Sequence, residues 1–132
     1  MRAVVICPSN PYLSIEPILA MPAVRKALAS CLAPVLAVSP IIGNQAVKGP
    51  TAKLMSELGQ EVSSATIARH YGDLIDALVV DVQDAQMVAP EGIEIIATPT
   101  LMLTLEDRER LACTVLAAAD RMAARPKRTP IP

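Results

Sequence analysis

Residues 33–55, APVLAVSPIIGNQAVKGPTAKLM, combine an apolar run, a loop with two glycines and the start of a helix. The run 34–38 does not alternate with polar residues, which is typical of a strand covered on both faces of a parallel sheet. Gly49 and Pro50 then open a helix that passes through Met55 and ends at Gly59. A strand, a loop and a helix in this order form the repeating unit of α/β proteins.

The same unit recurs along the chain. Apolar runs predict further strands at 3–7, 78–82 and 93–97, and the first of these is also unalternating. Residues 83–92 leave room for one or two helical turns between the last two strands. The alternation predicts one α/β domain over residues 1–124, a Rossmann-like parallel sheet of about four strands with helices on both faces, and a disordered basic tail at 125–132.

Polar residues mark where the helices begin. Ser14 is predicted to cap a first helix over 14–30, and Ser63 or Ser64 to cap one that ends near residue 70. Thr104 and Asp107 have the spacing of a capping box before an apolar stripe. These signals separate the helices from the strands without overlap.

Composition excludes several classes of function. The chain has 132 residues, of which 52% are hydrophobic, a net charge of −1 and no Phe or Trp, so it offers neither the charge nor the stacking platforms of a nucleic-acid binder. No apolar run has the length of a membrane span, and no signal peptide is predicted. Cys7, Cys31 and Cys113 are odd in number and widely spaced, which predicts reduced, buried thiols in a cytoplasmic protein without a cysteine metal site.

Unusual residues gather after the predicted strands. PSNP, SPIIGNQAVKGP and TPTLM each follow the carboxyl end of a strand, the edge where open α/β sheets bind ligands. In the second loop Gly43, Gly49, Lys48, Lys53 and the helix start at Thr51 suit an anion such as a phosphate. The order of residues is not that of a P-loop, and a capped helix with solvated lysines explains the same spacing.

Two other clusters carry titratable groups. His70, beside Tyr71 and near Asp73, could act as an acid, a base or a substrate clamp, although a surface histidine at a helix end explains it equally well. Asp81 and Asp84 could bind magnesium, but caps and turn formers are the alternative. No catalytic triad or nucleophile can be ordered from the sequence.

Three long blocks and one short one resemble the 2-phospho-L-lactate transferase family of deazaflavin coenzyme biosynthesis. They are CPSNPYLSIEPILAMPAVRKAL, APVLAVSPIIGNQAVKGPTAKLM, ARHYGDLIDALVVD and TPTLM, and the likeness runs from Ile6 to Leu116. The resemblance implies transfer of a phospholactyl or phosphoenolpyruvyl group from a guanosine diphosphate-linked donor to the hydroxyl of the precursor Fo, with release of GMP. Such a reaction needs positioning and electrostatic stabilisation more than a protein nucleophile.

The resemblance also implies site residues and partners. The residues predicted to contact substrates are Ser9, Asn10, Ser39, Gly43, Asn44, Lys48, Gly49, Thr51, Lys53, His70, Tyr71 and Asp73. Mg²⁺ is implied as a cofactor, with its ligands and a glycine-rich nucleotide loop in a preceding half that the resemblance does not include. The expected partners are therefore an N-terminal-half subunit and further copies of the chain in a homo-oligomer. The alternative is a non-catalytic phosphate-binding or scaffold module, a degenerate member of the family.

Overall fold

A four-stranded parallel sheet forms the centre of the computed structural model, which describes residues 1–46 and 49–125. Its strands are β1 (Val4–Ile6), β2 (Val35–Val38), β5 (Ala77–Val80) and β6 (Glu94–Ala97). They lie side by side in this order, and the short strands β3 and β4 form a separate hairpin. The registers of the three pairs are all parallel, which confirms the predicted Rossmann-like α/β class.

Two apolar clusters cover the two faces of this sheet. Val35 and Ala37 of β2 belong to one cluster, and Leu36 and Val38 belong to the other. Residues of β5 alternate in the same way, and all four residues of each central strand are buried. Successive side chains of a strand point to opposite faces of the sheet. Because both faces are covered by an apolar cluster, every residue of these strands can be apolar.

The helices are distributed unequally between the faces. They are α1 (Glu16–Leu19), α2 (Pro22–Ala29), α3 (Thr51–Glu57), α4 (Ser64–Tyr71) and α5 (Leu105–Ala123). The three connections between strands contribute to the first core, for example through Leu19, Met55 and Met87. The second core is closed by α5, through Leu111 and Val115 among others. Strands added in one direction by right-handed crossovers require their connections on one face.

The first crossover differs from the predicted single helix over 14–30. Asn10, not Ser14, is the capping residue: its Oδ1 accepts from the amides of Tyr12 (3.0 Å) and Leu13 (3.1 Å) at a π-helical turn, Pro11–Ile15. The helix is interrupted before Pro22 because a proline favours an extended conformation in the preceding residue, and Met21 has ψ 114°. Ser14 is exposed.

The other predicted helix starts are confirmed. Ser63 caps α4 by accepting from the amide of Thr66, and Thr104 with Asp107 forms the capping box of α5.

A short hairpin follows β2. It is formed by β3 (Ile41–Ile42) and β4 (Gln45–Ala46), which are antiparallel. None of the helices in the described ranges is long and apolar enough to cross a membrane.

Two predictions of burial are wrong. Val5 of β1 is 39% exposed, because β1 lies at the edge of the sheet and α5 does not cover it fully. Cys7 and Cys113 are exposed, because one follows the edge strand and the other lies on the outer side of α5. The predicted disordered tail falls, after Arg125, outside the described residues.

Candidate functional site

A crevice of about 430 Å³ opens at the carboxyl edge of the parallel sheet. It is formed by the loops that follow β1, β2 and β6, together with the start of α3. Its lining residues are Pro8, Ser9, Asn10, Ser14, Ser39, Pro40, Gly49, Pro50, Thr51, Thr100 and Met102. The structure therefore brings five of the predicted residues together, namely Ser9, Asn10, Ser39, Gly49 and Thr51.

Asn10 lines the crevice and carries a buried side-chain nitrogen that lacks a partner among the described residues. Its Oδ1 is used by the two amides of the π-helical turn, which fixes the orientation of the side-chain amide. Its Nδ2 is buried and has no hydrogen-bond partner within residues 1–46 and 49–125. A buried donor of this kind is normally satisfied, so an acceptor such as a phosphate oxygen suits this position.

Ser39 has a structural role in the wall of the crevice. Its Oγ lies 2.8 Å from the Oγ of Ser64 and accepts from the amide of Ile41 at 3.2 Å. Ser39 is 2% exposed, and Ser64 lines a second, more open cavity of about 570 Å³ on the other side of this bond. The Ser39–Ser64 pair thus joins the loop after β2 to α4, with one partner in the lining of each cavity.

The second predicted loop contributes only in part. Gly49, at φ +69°, and the buried Thr51 stand at the start of α3 and line the crevice. Lys53 is exposed and lies 3.8 Å from Glu57 one turn further along α3, as a solvated lysine would. Lys48 lies outside the described residues.

Gly43 and Asn44 form the turn of the β3–β4 hairpin and do not line the crevice. Both have positive φ, 55° and 64°, as a two-residue turn of type I′ requires. A Cβ on Gly43 would stand 2.8 Å from Oε1 of Gln83. Its amide donates to the carboxylate of Asp84 at 3.2 Å, which ties this turn to the segment after β5. Asn44 lines the second cavity.

His70 and Tyr71 lie behind the crevice in an aromatic cluster with Tyr12. The ring of His70 is centred 4.8 Å from Tyr12 and 5.5 Å from Tyr71. Its Nε2 lies 3.3 Å from Oε2 of Glu16 but makes no hydrogen bond to any described residue. The cluster therefore contacts the segment that Asn10 caps, and it does not line the crevice.

Burial controls the acidity of the tyrosines in this cluster. The pKa of Tyr71 is raised well above its usual range, first by burial and then by the negative charges of Glu16 and ionised Tyr12. Burial also raises the pKa of Tyr12. Both hydroxyls therefore stay protonated near neutral pH.

Asp73 is exposed at the 3₁₀ turn after α4, Gly72–Leu74, and does not line the crevice.

Asp81 and Asp84 accept hydrogen bonds as caps and turn formers, which is the alternative to magnesium binding that the sequence left open. The buried carboxylate of Asp81 accepts from the amides of Gln83 (3.1 Å) and Thr100 (3.0 Å). It thereby ties the loop after β6, with Thr100 and Met102, to the end of β5. Within the described residues no group of three or more His, Cys, Asp or Glu side chains is placed to hold a metal ion. Both oxygens of the Asp81 carboxylate already accept from backbone amides, so no metal role is assigned to this pair.

Six residues of the crevice are absent from the predicted set: Pro8, Ser14, Pro40, Pro50, Thr100 and Met102. Local sequence marks TPTLM as an edge loop but carries no signal for the bond between Thr100 and Asp81, 19 positions apart, that positions it. The sequence predicts Ser14 as a cap, whereas the structure places it at the crevice.

These features define the class of Rossmann-like α/β proteins with a ligand-sized crevice at the carboxyl edge of the sheet. Comparison with known sequences identifies the family. The sequence model of 2-phospho-L-lactate transferase CofD matches residues 1–118, so the chain belongs to this family.

Characterised relatives include proteins with two names. The chain is 42% identical to the 2-phospho-L-lactate transferase of Methanocaldococcus jannaschii over 113 residues, which are 86% of this chain and 36% of that protein. It is 42% identical to the phosphoenolpyruvate transferase of Kitasatospora aureofaciens over 119 residues, 87% of this chain and 37% of that protein. The chain therefore matches only about a third of the length of these relatives.

Proposed function

We propose that the crevice binds the diphosphate of a guanosine diphosphate-linked donor, and that the chain takes part in transferring the phospholactyl or phosphoenolpyruvyl group to Fo. The observation that carries the proposal is the buried Nδ2 of Asn10, a donor without a described partner on a residue that lines the crevice, in a chain from this family. Its capping bonds hold this donor in place before any ligand arrives, so little ordering is needed on binding.

The proposed reaction is a displacement at phosphorus. The hydroxyl oxygen of Fo forms a bond to the β-phosphorus of the donor, the bond from that phosphorus to the bridging oxygen breaks, and GMP leaves with that oxygen. The proton of the hydroxyl passes to solvent or to the leaving phosphate. Negative charge spreads over the phosphoryl oxygens, so donors already fixed in position, such as Asn10 Nδ2, lower the barrier.

We further propose that activity requires a complementary polypeptide. The chain matches about a third of the length of its relatives, and its described residues contain no group of three or more His, Cys, Asp or Glu side chains placed to hold a metal ion. A Mg²⁺ ion, where the reaction uses one, is therefore assigned to ligands on that polypeptide, and no step here depends on it.

Titration of the full chain with GDP tests the proposed crevice. Asn10→Ser keeps an oxygen that caps the π-helical turn but removes the amide donor, so GDP affinity is expected to fall roughly 10-fold or more while the thermal midpoint stays close to wild type. Asn10→Asp keeps the capping oxygen and places a negative charge at the phosphate, so a larger loss is expected. Gln60→Ala changes an exposed amide outside the crevice and serves as the control.

The outcome also separates the transferase from the scaffold alternative. GDP binding that depends on Asn10, with GMP release once a complementary half is supplied, supports the transferase. Binding without any GMP release favours a phosphate-binding module. If GDP does not bind, or if it binds equally to Asn10→Asp, the proposed crevice is wrong.

A further inference from the structure

We propose that His70 is a positioning residue for the crevice. Its imidazolium pairs with Glu16 and thereby holds the π-helical turn, Pro11–Ile15, that fixes the side-chain amide of Asn10. The inference rests on the proposed function in naming what holds that donor in place and over which range of pH. It is carried by the unpartnered Nε2 of His70, by the contacts of this histidine with the first crossover, and by the hydrogen bonds that join Asn10 to the same segment.

Hydrogen bonds from two parts of Asn10 hold the π-helical turn. Its Oδ1 accepts from the amides of Tyr12 and Leu13 at 3.0 and 3.1 Å. Its backbone carbonyl accepts from the amides of Ser14 at 2.9 Å and Ile15 at 3.3 Å. Because the side chain and the main chain are both bound to the turn, the direction of Nδ2 follows the position of the turn. A displacement of the turn therefore moves the buried nitrogen that is proposed to bind phosphate.

His70 contacts this segment from α4. Its ring is centred 4.8 Å from that of Tyr12 inside the turn, and Nε2 lies 3.3 Å from Oε2 of Glu16, the residue that follows the turn. The opposite end of α4 is fixed as well, because the Oγ of Ser64 lies 2.8 Å from the Oγ of Ser39 in the wall of the crevice. The histidine thus extends from a helix that is anchored beside the crevice, and it meets the crossover at two side chains.

The surroundings of Nε2 suit a charged ring. This nitrogen is buried and makes no hydrogen bond to a residue in the described ranges. A neutral imidazole with its lone pair at Nε2 faces the carboxylate as one acceptor against another, whereas an imidazolium carries N–H groups at both nitrogens. Protonation therefore makes the 3.3 Å approach to Glu16 an attractive ion pair. Because the side chain of Glu16 is 40% exposed, this pair is expected to change affinity by a few-fold and not by orders of magnitude.

The other titratable and charged groups around the ring leave this pair in place. Arg25 of α2 lies 3.5 Å from the second carboxylate oxygen of Glu16, Oε1, and Oε2 is left for the histidine. The two tyrosines of the cluster are neutral near neutral pH, because burial raises the pKa of each. On α4 itself the guanidinium of Arg69 donates to a threonine hydroxyl, and Asp73 in the following turn is exposed. Within the described part of the chain, Glu16 is therefore the acidic group that pairs with the ring.

The expected consequence is a donor that is held most firmly in mildly acid solution. Histidine side chains change charge between about pH 5 and pH 8, so the link to the turn is present on the acid side of this range and is lost as the pH rises. His70 is the only histidine of the chain, so no second imidazole contributes. Phosphate groups also titrate in this range, and each variant is therefore compared with wild type at the same pH, where the ionisation of the nucleotide is equal.

Titration of the full chain with GDP at about pH 6 and about pH 8 is the first test. His70→Phe keeps an aromatic ring against Tyr12 and removes both nitrogens, and Glu16→Gln removes the negative charge. Each variant is expected to bind GDP ~5-fold more weakly than wild type at the lower pH and to match wild type at the higher pH.

Three further variants serve as controls for this titration. Combining His70→Phe with Glu16→Gln is expected to cost no more affinity than either change alone, because both remove one interaction. Added to Asn10→Ser, His70→Phe is expected to cause no further loss, because the donor through which it acts is already absent. Glu109→Gln makes the same change at an exposed glutamate of α5, and it is expected to leave affinity unchanged at both pH values.

Hydrogen exchange without any nucleotide is the second test. Protection of the Tyr12 and Leu13 amides, relative to an unfolded chain at the same pH, measures how firmly the turn is held. In wild type this protection is expected to be ~5-fold higher at about pH 6 than at about pH 8, and in His70→Phe it is expected to be equal at the two pH values. A histidine that only filled space gives no such difference between wild type and variant.

Three results would overturn the inference. They are an equal loss of affinity in His70→Phe at both pH values, an undiminished further loss when His70→Phe is added to Asn10→Ser, or protection of the Tyr12 and Leu13 amides that is the same in wild type and His70→Phe. GDP binding that depends on Asn10 but not on His70 contradicts the positioning role and leaves the proposed function standing. Protection that depends on His70 in a chain that does not bind GDP supports the link from the ring to the turn and contradicts the proposed function.

Discussion

Replacing Asp81 by alanine is expected to lower the free energy of unfolding by about 3 kcal/mol. The buried carboxylate accepts from the amide and the hydroxyl of Thr100 and from the amide of Gln83. Thr100 is 5% exposed, so its amide loses its acceptor where water reaches it poorly, at a cost of about 2 kcal/mol. Gln83 is exposed, so its amide can hydrogen-bond to water in the variant. Loss of this cap lowers the free energy of unfolding by about a further 1 kcal/mol.

Urea denaturation at equilibrium measures this loss. Asp81→Asn keeps one acceptor oxygen and is expected to lose roughly half as much as the alanine variant. Asp73→Asn changes an exposed carboxylate and is expected to stay within about 0.5 kcal/mol of wild type. Because Asp81 holds Thr100 and Met102 at the crevice, its alanine variant should also bind GDP more weakly. An Asp81→Ala protein as stable as Asp73→Asn would refute the assignment of Asp81 as the anchor of this wall.

Three further predictions follow from local geometry. Gly43→Ala, at φ +55°, is expected to cost about 1–2 kcal/mol in urea denaturation, whereas Gly43→Asn costs less; equal stability of Gly43→Ala and wild type would contradict the hairpin turn. Amides of Leu103 and Thr104 lower the pKa of Asp107, so its stabilising effect is present above about pH 3.8 and lost as the pH falls below it; the thermal midpoints of Asp107→Asn and wild type should converge in acid. The raised pKa of Tyr71 gives stability that is complete below about pH 10 and lost above it, because the unfolded tyrosine then ionises; a Tyr71→Phe protein with an unchanged alkaline decline would contradict this.

The edge loops could be found from the sequence because they are marked by composition. Prolines, glycines and serines directly follow apolar runs, and strand ends in a parallel sheet meet at one edge. The crevice therefore brings together five of the predicted residues, namely Ser9, Asn10, Ser39, Gly49 and Thr51. Whether they contact substrates stays a prediction.

Roles within those loops were harder to predict because they depend on contacts between distant segments. Asn10 and Ser14 are both acceptable helix caps, but the folded chain uses Asn10 for the π-helical turn and interrupts the predicted helix before Pro22. Gly43 resembles a phosphate-binding glycine until the hairpin places it against Asp84, 41 positions along the chain. His70 could be placed near a helix end, but its contacts with Tyr12 and Glu16 required the folded chain.

Local patterns determine the succession of strands and helices along the chain, since periodicity and capping depend on neighbouring residues. They also predict the caps of α4 and α5 and the Rossmann-like class. Only the tertiary structure shows the order of the strands within the sheet and the exposed edge of β1. The same holds for the aromatic cluster of Tyr12, His70 and Tyr71 and for the bond between Asp81 and Thr100. The physical reason is distance along the chain. Each of these features joins segments that have no common local signal, and packing alone determines which of them meet.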